Sequence, residues 1–544
     1  MEEYLKISLF LHKDVSDFKE CIKESALDKV TQYNIDSEKL GLNGYIYIHE
    51  KTKNFPSWKG QLEKITKDGN IEIEENVSNK AVVVVKYEEN YFSLTYGRGK
   101  SIIDDDKIVR NFGLKVSANL IEPNKIKSLN SFSIGEAIIL NNKQASILSS
   151  QDQMQVDKEK EILKSIAGSP KDDSIAKFLY GSDSLNITIN YDITRLKNLI
   201  ESYYNAYNMD NYKTNGFEWI DNIKNVKNNE IKNTLNQELV KAIVSDEFDN
   251  IVISPNEIID WGDAEKYIVN GIGEDNEFNI YDTKFSKYFI YIKEHFRVEK
   301  IDTLNCNKII KKLKRDKIKI KYISSEEKQD IANIYKCLVF ETIIKDKKFV
   351  LCFGDWYEVN KRYYDNIKEK IGKISTSSIE LPPFKNGEKE ENYNERVSNQ
   401  NPNYILMDQK NYQPKEYGRS KIEICDIFTS SNELVHVKIA KGSSSFSHLF
   451  AQGLVSAKLL ANDNNVIDFI NESICEKDTF NILNRDKSNG DFEIVYAIID
   501  KRDKDMNEII PFFSMINLVQ VTENLSSMGY KFSIIRIPVI SIAE

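Results

Sequence analysis

The sequence predicts a multidomain protein of the mixed α/β (α+β) class. Stretches rich in β-branched and aromatic residues alternate along the chain with stretches of helical periodicity. The 544 residues are too many for one ordinary core, because a domain usually contains roughly 100–200 residues. Gly and Pro are scarce, at 22 and 10 residues, so long flexible linkers are not expected. We therefore expect about three domains.

Two polar tracts predict the domain boundaries. Residues 141–173 are rich in Asn, Ser, Gln, Asp and Lys and contain a turn-like Gly-Ser-Pro sequence. Near residues 375–391, a Leu-Pro-Pro sequence precedes a charged tract with few apolar residues. The predicted domains span residues 1–150, 151–380 and 381–544.

Charge and composition exclude several classes of protein. The 84 acidic and 75 basic residues give a net charge of −9, which excludes a uniformly basic coat for nucleic acid but not a local basic groove. No run of about 18 apolar residues is present, so we expect no membrane span. The acidic amino terminus is a poor secretory signal. The six cysteines form no CxxC pair and no compact framework, which is typical of reduced thiols in a cytoplasmic protein.

Local patterns place the elements of the first two segments. In the amino-terminal segment the sequence predicts a helix at 15–24 and strands at 4–11, 44–49, 81–87 and 91–96. In the middle segment it predicts helices at 194–205 and 229–244 and strands at 288–292, 318–323 and 349–353. This alternation favours a mixed class over an all-α or all-β one.

The carboxyl-terminal segment has the most regular order of elements. A polar helix at 388–398 precedes strands at 404–408, 421–428 and 433–440, an apolar helix at 446–460, and strands at 492–499 and 532–537. A run of three serines offers N-caps for the apolar helix, and Pro538 is expected to end the last strand. The order α-β-β-β-α-β predicts a compact domain with a central mixed sheet flanked by helices.

The hairpin formed by the second and third of these strands carries the predicted chemistry. Asp426 lies at the end of one strand, and His436 and Lys438 stand on the next. Because side chains two residues apart share a strand face, His436 and Lys438 point the same way, and a tight hairpin brings Asp426 opposite them. An Asp carboxylate binds a hard divalent cation, a second ligand completes the site, and a lysine orients or deprotonates the attacking water. A metal-dependent phosphodiesterase requires this combination of groups.

The hairpin resembles the motif of the PD-(D/E)XK nuclease superfamily, which has the restriction-endonuclease-like fold. Asp426 matches the first acid and Lys438 the terminal lysine, whereas His436 stands where Asp or Glu is expected and Cys425 replaces the proline. Imidazole suits Mg²⁺ poorly. The site therefore either prefers Mn²⁺ or a similar ion, receives a carboxylate from elsewhere, or binds nucleic acid without cutting it.

The polar helix before the core is the predicted source of a missing carboxylate. Some members of the superfamily contribute a Glu from this helix, and Glu391 and Glu395 are the candidates. Glu423 and Glu433 are weaker candidates, because their odd offsets from the motif residues put each on the opposite strand face.

The helix after the hairpin adds further polar candidates. Gln452 resembles the helical Gln that several superfamily members add to the same cluster, and His448 lies one turn earlier on the same face. The hydroxyls at the start of this helix can receive a phosphate, so Lys441, Ser443, Ser444 and His448 are predicted nucleic-acid contacts. The predicted catalytic residues are Asp426, His436, Lys438 and Gln452, and the predicted metal ligands are Asp426, His436 and Glu391.

A basic tract in the middle segment is a second candidate for contact with nucleic acid. Residues 307–321, NKIIKKLKRDKIKIK, hold eight basic residues and one Asp. Such a cluster can line a groove for the phosphate backbone, which supplies affinity without sequence information. A solvated face of a helix and an edge strand is the alternative. The predicted contacts in this tract are Lys308, Lys311, Lys312, Lys314 and Arg315.

The chain as a whole resembles a sporadically distributed family of prokaryotic proteins found in mobile and anti-phage defence islands. The tracts that carry the likeness are YGRGKSIIDDDKIVRNFGLKVSANL, FGDWYEVNKRYY and ICDIFTSSNELVHVKIAKGSSSFSHLFAQGLVSAKLL. They span all three segments, and the last is the most distinctive. The resemblance implies a defence role that acts on nucleic acid.

The predicted function is metal-dependent cleavage of phosphodiesters in foreign DNA, with Mg²⁺ or Mn²⁺ as cofactor and a phage or host protein as trigger. The alternative is an inactive nuclease fold that binds DNA and blocks replication or transcription. In that case His436 is a half-buried strand histidine, and Lys438 only positions a phosphate. A protein-binding effector or toxin is a third hypothesis. No membrane partner is expected, and a homo-oligomer is left open.

Overall fold

The computed structural model describes most of the chain. The described residues are 5–54, 76–134, 138–158, 161–190, 192–247, 251–254, 264–273, 276–279, 285–296, 303–323, 328–413, 422–440, 442–475, 478–484 and 486–540. They form a mixed α+β protein with several sheets. Within these ranges, no helix has both the length and the apolar character needed to cross a bilayer.

The chain divides into two compact units. The first unit contains Met1–Phe132 and Leu140–Asp221, and the second contains Ser133–Ile139 and Asn222–Glu544. Residue 150 lies within the first unit and residue 380 within the second, so the division into three domains stays a prediction.

The first unit is built on a ten-stranded sheet with the order β2-β3-β4-β5-β1-β10-β9-β8-β6-β7. The strands are β1 (Leu5–Leu11), β2 (Val30–Asn34), β3 (Asn43–Asn54), β4 (Asn76–Tyr87), β5 (Asn90–Gly97), β6 (Ile121–Ile134), β7 (Ile138–Ser149), β8 (Ile162–Pro170), β9 (Phe178–Gly181) and β10 (Leu185–Ile189). The helices are α1 (Glu24–Leu27), α2 (Ser37–Leu40), α3 (Phe112–Leu120) and α4 (Leu196–Asn208). Short segments of 3₁₀ helix occupy Phe18–Cys21, Gly99–Ile102, Asp105–Lys107, Ile193–Arg195 and Glu218–Asn222, and Lys213–Phe217 is a π turn.

The polar tract predicted as a boundary forms two of these strands, β7 and β8. Leu163 and Ile166 of β8 are buried in the core of the unit, and the Gly-Ser-Pro sequence ends that strand. The strands were hidden in the sequence by the many Asn, Ser, Gln and Lys residues, and β8 shows no period-two pattern because four successive residues from Ser165 to Gly168 are all buried. The helix predicted at 15–24 is also shorter than expected, because only Phe18–Cys21 and α1 are helical there.

The amino-terminal part of the second unit contains two antiparallel sheets, β11-β19-β18-β17-β12 and β14-β13-β15-β16. The strands are β11 (Ile223–Asn225), β12 (Ile251–Ile253), β13 (Ala264–Val269), β14 (Glu277–Asn279), β15 (Lys317–Tyr322), β16 (Lys328–Asn333), β17 (Leu338–Ile344), β18 (Lys347–Cys352) and β19 (Asp355–Val359). The helices are α5 (Asn229–Val244), α6 (Ser286–Phe296), α7 (Thr303–Arg315), α8 (Ile334–Cys337) and α9 (Lys361–Gly372).

The strand predicted at 288–292 is wrong, because these residues lie in α6. Tyr288, Phe289 and Ile292 are fully buried, and their spacing puts them on one face of a helix. A short run of aromatic and β-branched residues fits a buried strand or a buried helix equally well, so the local pattern could not decide.

The carboxyl-terminal part of the second unit has the predicted element order with one correction. The strand predicted at 421–428 is divided into two short strands, Ile422–Glu423 and Ile427–Thr429, and Asp426 lies between them outside either strand. The six-stranded sheet of this part has the order β20-β27-β26-β25-β24-β21. The strands are β20 (Phe384–Lys385), β21 (Tyr404–Leu406), β24 (Ile427–Thr429), β25 (Glu433–Ile439), β26 (Glu493–Asp500) and β27 (Lys531–Ile540), and a separate ribbon pairs β22 (Asn411–Tyr412) with β23 (Ile422–Glu423). The helices are α10 (Glu390–Gln400), α11 (Ser443–Asn462), α12 (Asn465–Ile474), α13 (Met506–Ile509) and α14 (Phe512–Ser527), and Asn489–Asp491 is a short 3₁₀ helix.

The strands of this sheet pair in both directions. β21, β24 and β25 form an antiparallel meander, whereas β25, β26 and β27 run parallel. α10, β21, β24, β25, α11 and β26 therefore give the order α-β-β-β-α-β in a mixed sheet. β27 continues through Pro538 and does not end there, because a proline near the end of a strand removes only one backbone donor.

The two faces of the sheet pack against different helices. Val435 and Val437 of β25 share a core cluster with Tyr393 and Val397 of α10. The opposite face of the sheet packs against α11, where the Tyr496 hydroxyl donates to the Phe450 carbonyl at 3.3 Å. α10 and α11 thus bracket the sheet.

We predict that Gly453→Ala destabilises the protein. Ala normally stabilises a helix relative to Gly, but a Cβ at position 453 would lie 2.5 Å from the Tyr496 hydroxyl oxygen. Overpacking of this kind costs about 1–3 kcal/mol. Thermal unfolding measures the loss. Gly372→Ala is the matched control, because the closest atom to its new Cβ is 4.0 Å away, and an equal Tm for the two variants would contradict the packing argument.

Candidate active site

A cavity of about 490 Å³ lies in the carboxyl-terminal part of the second unit, beside the hairpin of β24 and β25. Acidic side chains dominate its lining, and Lys438 is the one lining cation among the described residues. The lining residues come from α10, the segment around β22 and β23, the hairpin and α11: Glu390, Glu391, Asp408, Gln409, Asn411, Glu423, Asp426, Lys438 and Gln452.

Three of these acids form what we call the carboxylate cluster: Asp408, Glu423 and Asp426. Each offers one oxygen such that the three oxygens lie within 4.8 Å of one another. Carboxylate oxygens at this separation are a suitable donor set for a hard divalent cation.

Backbone hydrogen bonds of Asp426 fix two members of the cluster. Its carbonyl oxygen accepts from the N–H groups of Met407 and Asp408, both at 2.9 Å, and its own N–H donates to the Val435 carbonyl at 3.0 Å. Its carboxylate oxygen Oδ2 accepts from the Val437 N–H at 2.7 Å. Asp426 therefore joins the end of β21 to β25 and holds Asp408 next to itself.

Glu423 joins the cluster although its offset from Asp426 predicted the opposite strand face. The rule of alternation does not apply, because residues 424–426 lie between β23 and β24 and are not in a strand. The Gln409 N–H donates to the Glu423 carboxylate. Glu433, the other weaker candidate, accepts from the Thr429 hydroxyl at 2.6 Å.

Burial raises the pKa of two cluster carboxyls. The pKa of Asp426 is raised well above its usual value by burial and by the charges of Glu423, Asp408 and Glu390, against the Val437 hydrogen bond. Burial also raises the pKa of Glu423, and the neighbouring Asp408 adds to the effect. Without a bound cation, Asp426 and Glu423 therefore bind protons more tightly than exposed carboxyls do.

Lys438 stands at the cavity in an ion pair. Its Nζ lies 2.6 Å from Oε1 of Glu390, and its side chain is 30% exposed. Glu390 is the first residue of α10, so the helix start contacts the end of β25.

His436 is not among the residues that line the cavity. It is only 1% exposed, and its ring centroid lies 6.3 Å from that of Tyr496. Burial lowers the pKa of His436 to about 3, so the imidazole is neutral at physiological pH. Its Nε2 has no hydrogen-bond partner among the described residues. The structure thus brings Asp426 and Lys438 to one cavity and places His436 in the packing against Tyr496.

The other predicted site residues divide into three groups. Gln452 and Glu391 line the cavity. Glu395 and His448 are exposed on α10 and α11 and are not among the lining residues. Lys441 lies outside the described residues, and the side chains of Ser443 and Ser444 lie outside the described part as well, although both residues belong to α11.

The basic tract forms α7 and β15. Lys308, Lys311, Lys314 and Arg315 are exposed on the helix. Lys312 is instead buried on the core side, where its Nζ lies 2.5 Å from Oδ2 of Asp316 and 3.0 Å from the Gly271 carbonyl oxygen. The Lys312 ammonium is therefore in a buried ion pair with Asp316 and does not face solvent.

The lysines of β15 lie on the other side of their sheet from α7. Ile318 and Ile320 share the core cluster of Ile309 and Leu313 of α7, and alternation puts Lys317, Lys319 and Lys321 on the opposite face. The tract therefore presents two separate basic surfaces and no single groove.

Sequence reasoning missed Asp408, Glu390 and Asn394. Asp408 ended a predicted strand, a position where a polar side chain can enter a site. Glu390 and Asn394 lie one helical turn apart on the polar helix, and this spacing was the available signal. Nothing in the sequence marks the partners of these side chains, which lie on other elements.

We predict that stability falls as pH rises and that Asp426→Asn removes much of this loss. An unfolded Asp has a pKa of about 3.9. The folded protein holds the Asp426 proton more tightly, so this contribution to stability is full below that value and is lost as pH rises through the raised folded pKa.

Thermal unfolding without divalent ions at about pH 5 and about pH 8 tests this dependence. At the higher pH the Asn variant should have a Tm a few degrees above wild type, since one kcal/mol shifts Tm by about 2–4 °C for a domain of this size. Asp486→Asn, at an exposed position, is the control. A lower Tm for Asp426→Asn than for wild type at the higher pH would contradict the prediction.

Comparison with known proteins places the chain in a family. Searches of curated proteins and of solved structures gave no match. The model of the family of unknown function DUF6119 matches residues 7–538, which is nearly the full length of the chain. The protein therefore belongs to the DUF6119 family.

Proposed function

We propose that the protein is a metal-dependent nuclease whose active site is the cavity of the carboxyl-terminal sheet. The observation that carries this proposal is the carboxylate cluster of Asp408, Glu423 and Asp426 beside Lys438 in one cavity. Carboxylates for a hard cation and an ammonium group within reach of the same space are the requirements for phosphodiester hydrolysis.

The architecture supports the same assignment. The order α-β-β-β-α-β in a mixed sheet, with Asp426 before the second strand and Lys438 on the third, is the arrangement implied by the resemblance to the restriction-endonuclease-like fold. The departure is at position 436, where a buried neutral histidine replaces an acid. Asp408 and Glu423 supply the carboxylates that this position lacks.

The donor set fits Mg²⁺ or Mn²⁺. Both ions prefer oxygen ligands, and Mg²⁺ is usually held by few carboxylates together with waters and substrate phosphates. The raised pKa values of Asp426 and Glu423 also favour a cation site, because protons or a cation must offset the repulsion among three closely spaced carboxyls. A bound divalent ion would lower the pKa of a coordinated water and offset the charge that develops on the phosphate.

The side chains of the cavity supply the remaining roles. The Lys438 ammonium donates hydrogen bonds to an attacking water or to a phosphate oxygen and orients it for attack. The Gln452 amide, on α11, also lines the cavity and offers a second donor. The hydrolysis splits water, so that its hydroxide forms the new P–O bond and its proton leaves with the departing oxygen or a nearby carboxylate.

We further propose that the substrate is foreign DNA and that the first unit senses the phage or host trigger. The whole-chain resemblance to proteins of defence islands supports this role. The exposed face of α7, with Lys308, Lys311, Lys314 and Arg315, provides a surface that can contact the phosphate backbone.

Lys438→Ala and Asp426→Ala are predicted to lower cleavage of plasmid and phage DNA by about 10²-fold or more, because the first removes a donor to the attacking water or phosphate and the second removes a ligand of the cation. A nuclease assay with Mg²⁺ and Mn²⁺ measures the loss. Lys458→Ala, an exposed lysine on α11 outside the cavity, is the matched control.

Divalent-dependent cleavage that survives Asp426→Ala would remove the catalytic assignment. DNA binding by the wild type with no cleavage in either ion would instead favour an inactive nuclease fold that blocks replication or transcription.

Charge reversal on α7 is predicted to weaken the salt dependence of DNA binding. Lys308→Glu together with Lys311→Glu should reduce the slope of log K against log salt concentration by about 2. Fluorescence anisotropy over a salt series measures the slope. The matched control is Lys227→Glu with Lys241→Glu, which reverses two exposed charges elsewhere in the second unit. An equal slope for both double variants would contradict a role of α7.

A further inference from the structure

Two polar side chains of α10 reach different functional groups of the cavity. Glu390 and Asn394 lie four residues apart, so they share one face of the helix. Glu390 contacts Lys438, the cavity ammonium, and Asn394 contacts Asp408, a member of the carboxylate cluster.

Both carboxylate oxygens of Glu390 contact residues of β25. Oε1 lies 2.6 Å from Nζ of Lys438, and Oε2 accepts from the Ile439 N–H at 2.9 Å. A carboxylate that contacts Lys438 and the β25 backbone through different oxygens holds the lysine in place.

Asn394 is buried beneath the carboxylate cluster. It is 1% exposed, and its Nδ2 donates to Oδ2 of Asp408 at 2.9 Å. Its Oδ1 is buried without a hydrogen-bond partner among the described residues. An unpartnered buried oxygen is costly, and an apolar side chain would avoid that cost, so the hydrogen bond that Asn394 donates to Asp408 is what the amide contributes at this position.

The helix that carries these side chains is firmly anchored. Tyr393 and Val397 are buried in the core of the sheet, and the Tyr393 hydroxyl donates to the Pro382 carbonyl at 2.8 Å. The Arg396 guanidinium makes two hydrogen bonds of 2.8 Å to the Glu388 carboxylate. α10 therefore offers a fixed base from which Glu390 and Asn394 reach the site.

We propose that α10 is a positioning helix, in which Glu390 fixes Lys438 and Asn394 fixes Asp408, so that one helical turn sets the separation of the ammonium and the cation ligand. The inference rests on the proposed function and deepens it. Asn394 donates an N–H to Asp408, which suits an ionised carboxylate. Neither Glu390 nor Asn394 is itself a ligand.

Mn²⁺ binding by the full chain, followed by electron paramagnetic resonance, tests the role of Asn394. Asn394→Leu is expected to weaken Mn²⁺ affinity by about 10- to 100-fold, as loss of an outer-shell partner does. The fold should be retained, because the apolar side chain is of similar size, and circular dichroism of the variant checks this. Asn392→Leu, on the exposed face of the same helix, should keep wild-type affinity.

Asn394→Ala provides a second variant in case the larger side chain disturbs folding. It should weaken Mn²⁺ binding in the same way while its circular dichroism remains that of wild type. Wild-type Mn²⁺ affinity in either folded Asn394 variant would overturn the inference.

The role of Glu390 has a readout that is independent of activity. In the wild type the ion pair shields Lys438, and Glu390→Gln should increase the acylation of Lys438 several-fold, measured by peptide mass spectrometry. Mn²⁺ affinity should stay within about 2-fold of wild type, since only loss of a ligand or of its outer-shell partner costs 10-fold or more. Unchanged acylation, or a loss of Mn²⁺ affinity of 10-fold or more, would overturn the positioning role.

Failure of the inference differs from failure of the proposed function. A wild-type protein that binds no Mn²⁺ would refute the cation site on which both rest. Mn²⁺ binding that is unaffected by Asn394→Leu would refute the positioning helix alone, and Mn²⁺ binding without DNA cleavage would refute the nuclease while leaving the role of α10 supported.

Discussion

The main-chain hydrogen bonds of Asp426 are the constraint on which the candidate site depends. Its carbonyl oxygen accepts from Met407 and Asp408, and its N–H donates to Val435. These bonds tie the end of β21 to the hairpin at the point where the chain leaves strand geometry. Since the same residue also binds the Val437 N–H through its carboxylate, the position of the acid and the pairing of the strands are determined together. A change in either moves the other.

The electrostatics of the cluster oppose the stability of the fold. Burial and mutual repulsion raise the pKa of Asp426 and Glu423, and a core of this size could bury apolar side chains there at lower cost. Groups whose pKa is strongly perturbed by burial together with charged neighbours are concentrated at functional sites, because chemistry requires them there. The Lys438 ammonium offsets part of the negative charge of the cluster, but this ammonium already forms an ion pair with Glu390. In the proposed function, a divalent cation would satisfy the remaining carboxylate oxygens.

Sequence reasoning succeeded where a rule of periodicity applied over a whole element. β25 and α5 appear as predicted. Asp426 and Lys438 reach the same cavity, although Asp426 lies just outside β24 and is held beside β25 by its own hydrogen bonds to the strand. It failed where tertiary contacts decide. The helix α6 and the strands β7 and β8 have local patterns that fit two structures, and only their packing selects one. Glu423 enters the cluster because three residues between two short strands break the alternation, and no local signal marks such a break.

The buried histidine shows how charge is distributed between the regular and irregular parts of the site. Position 436 lies in the middle of β25, next to Tyr496 and covered by α11, where only 1% of the side chain is exposed. Burial at this position costs a charged carboxylate far more hydration free energy than it costs a neutral imidazole. The carboxylates are instead those of Asp408 and Glu423, which belong to a loop and a two-residue strand beside the sheet. There a backbone N–H group donates to Glu423 and the Asn394 amide donates to Asp408. The sheet thus supplies rigidity, and the chain segments beside it supply the charge.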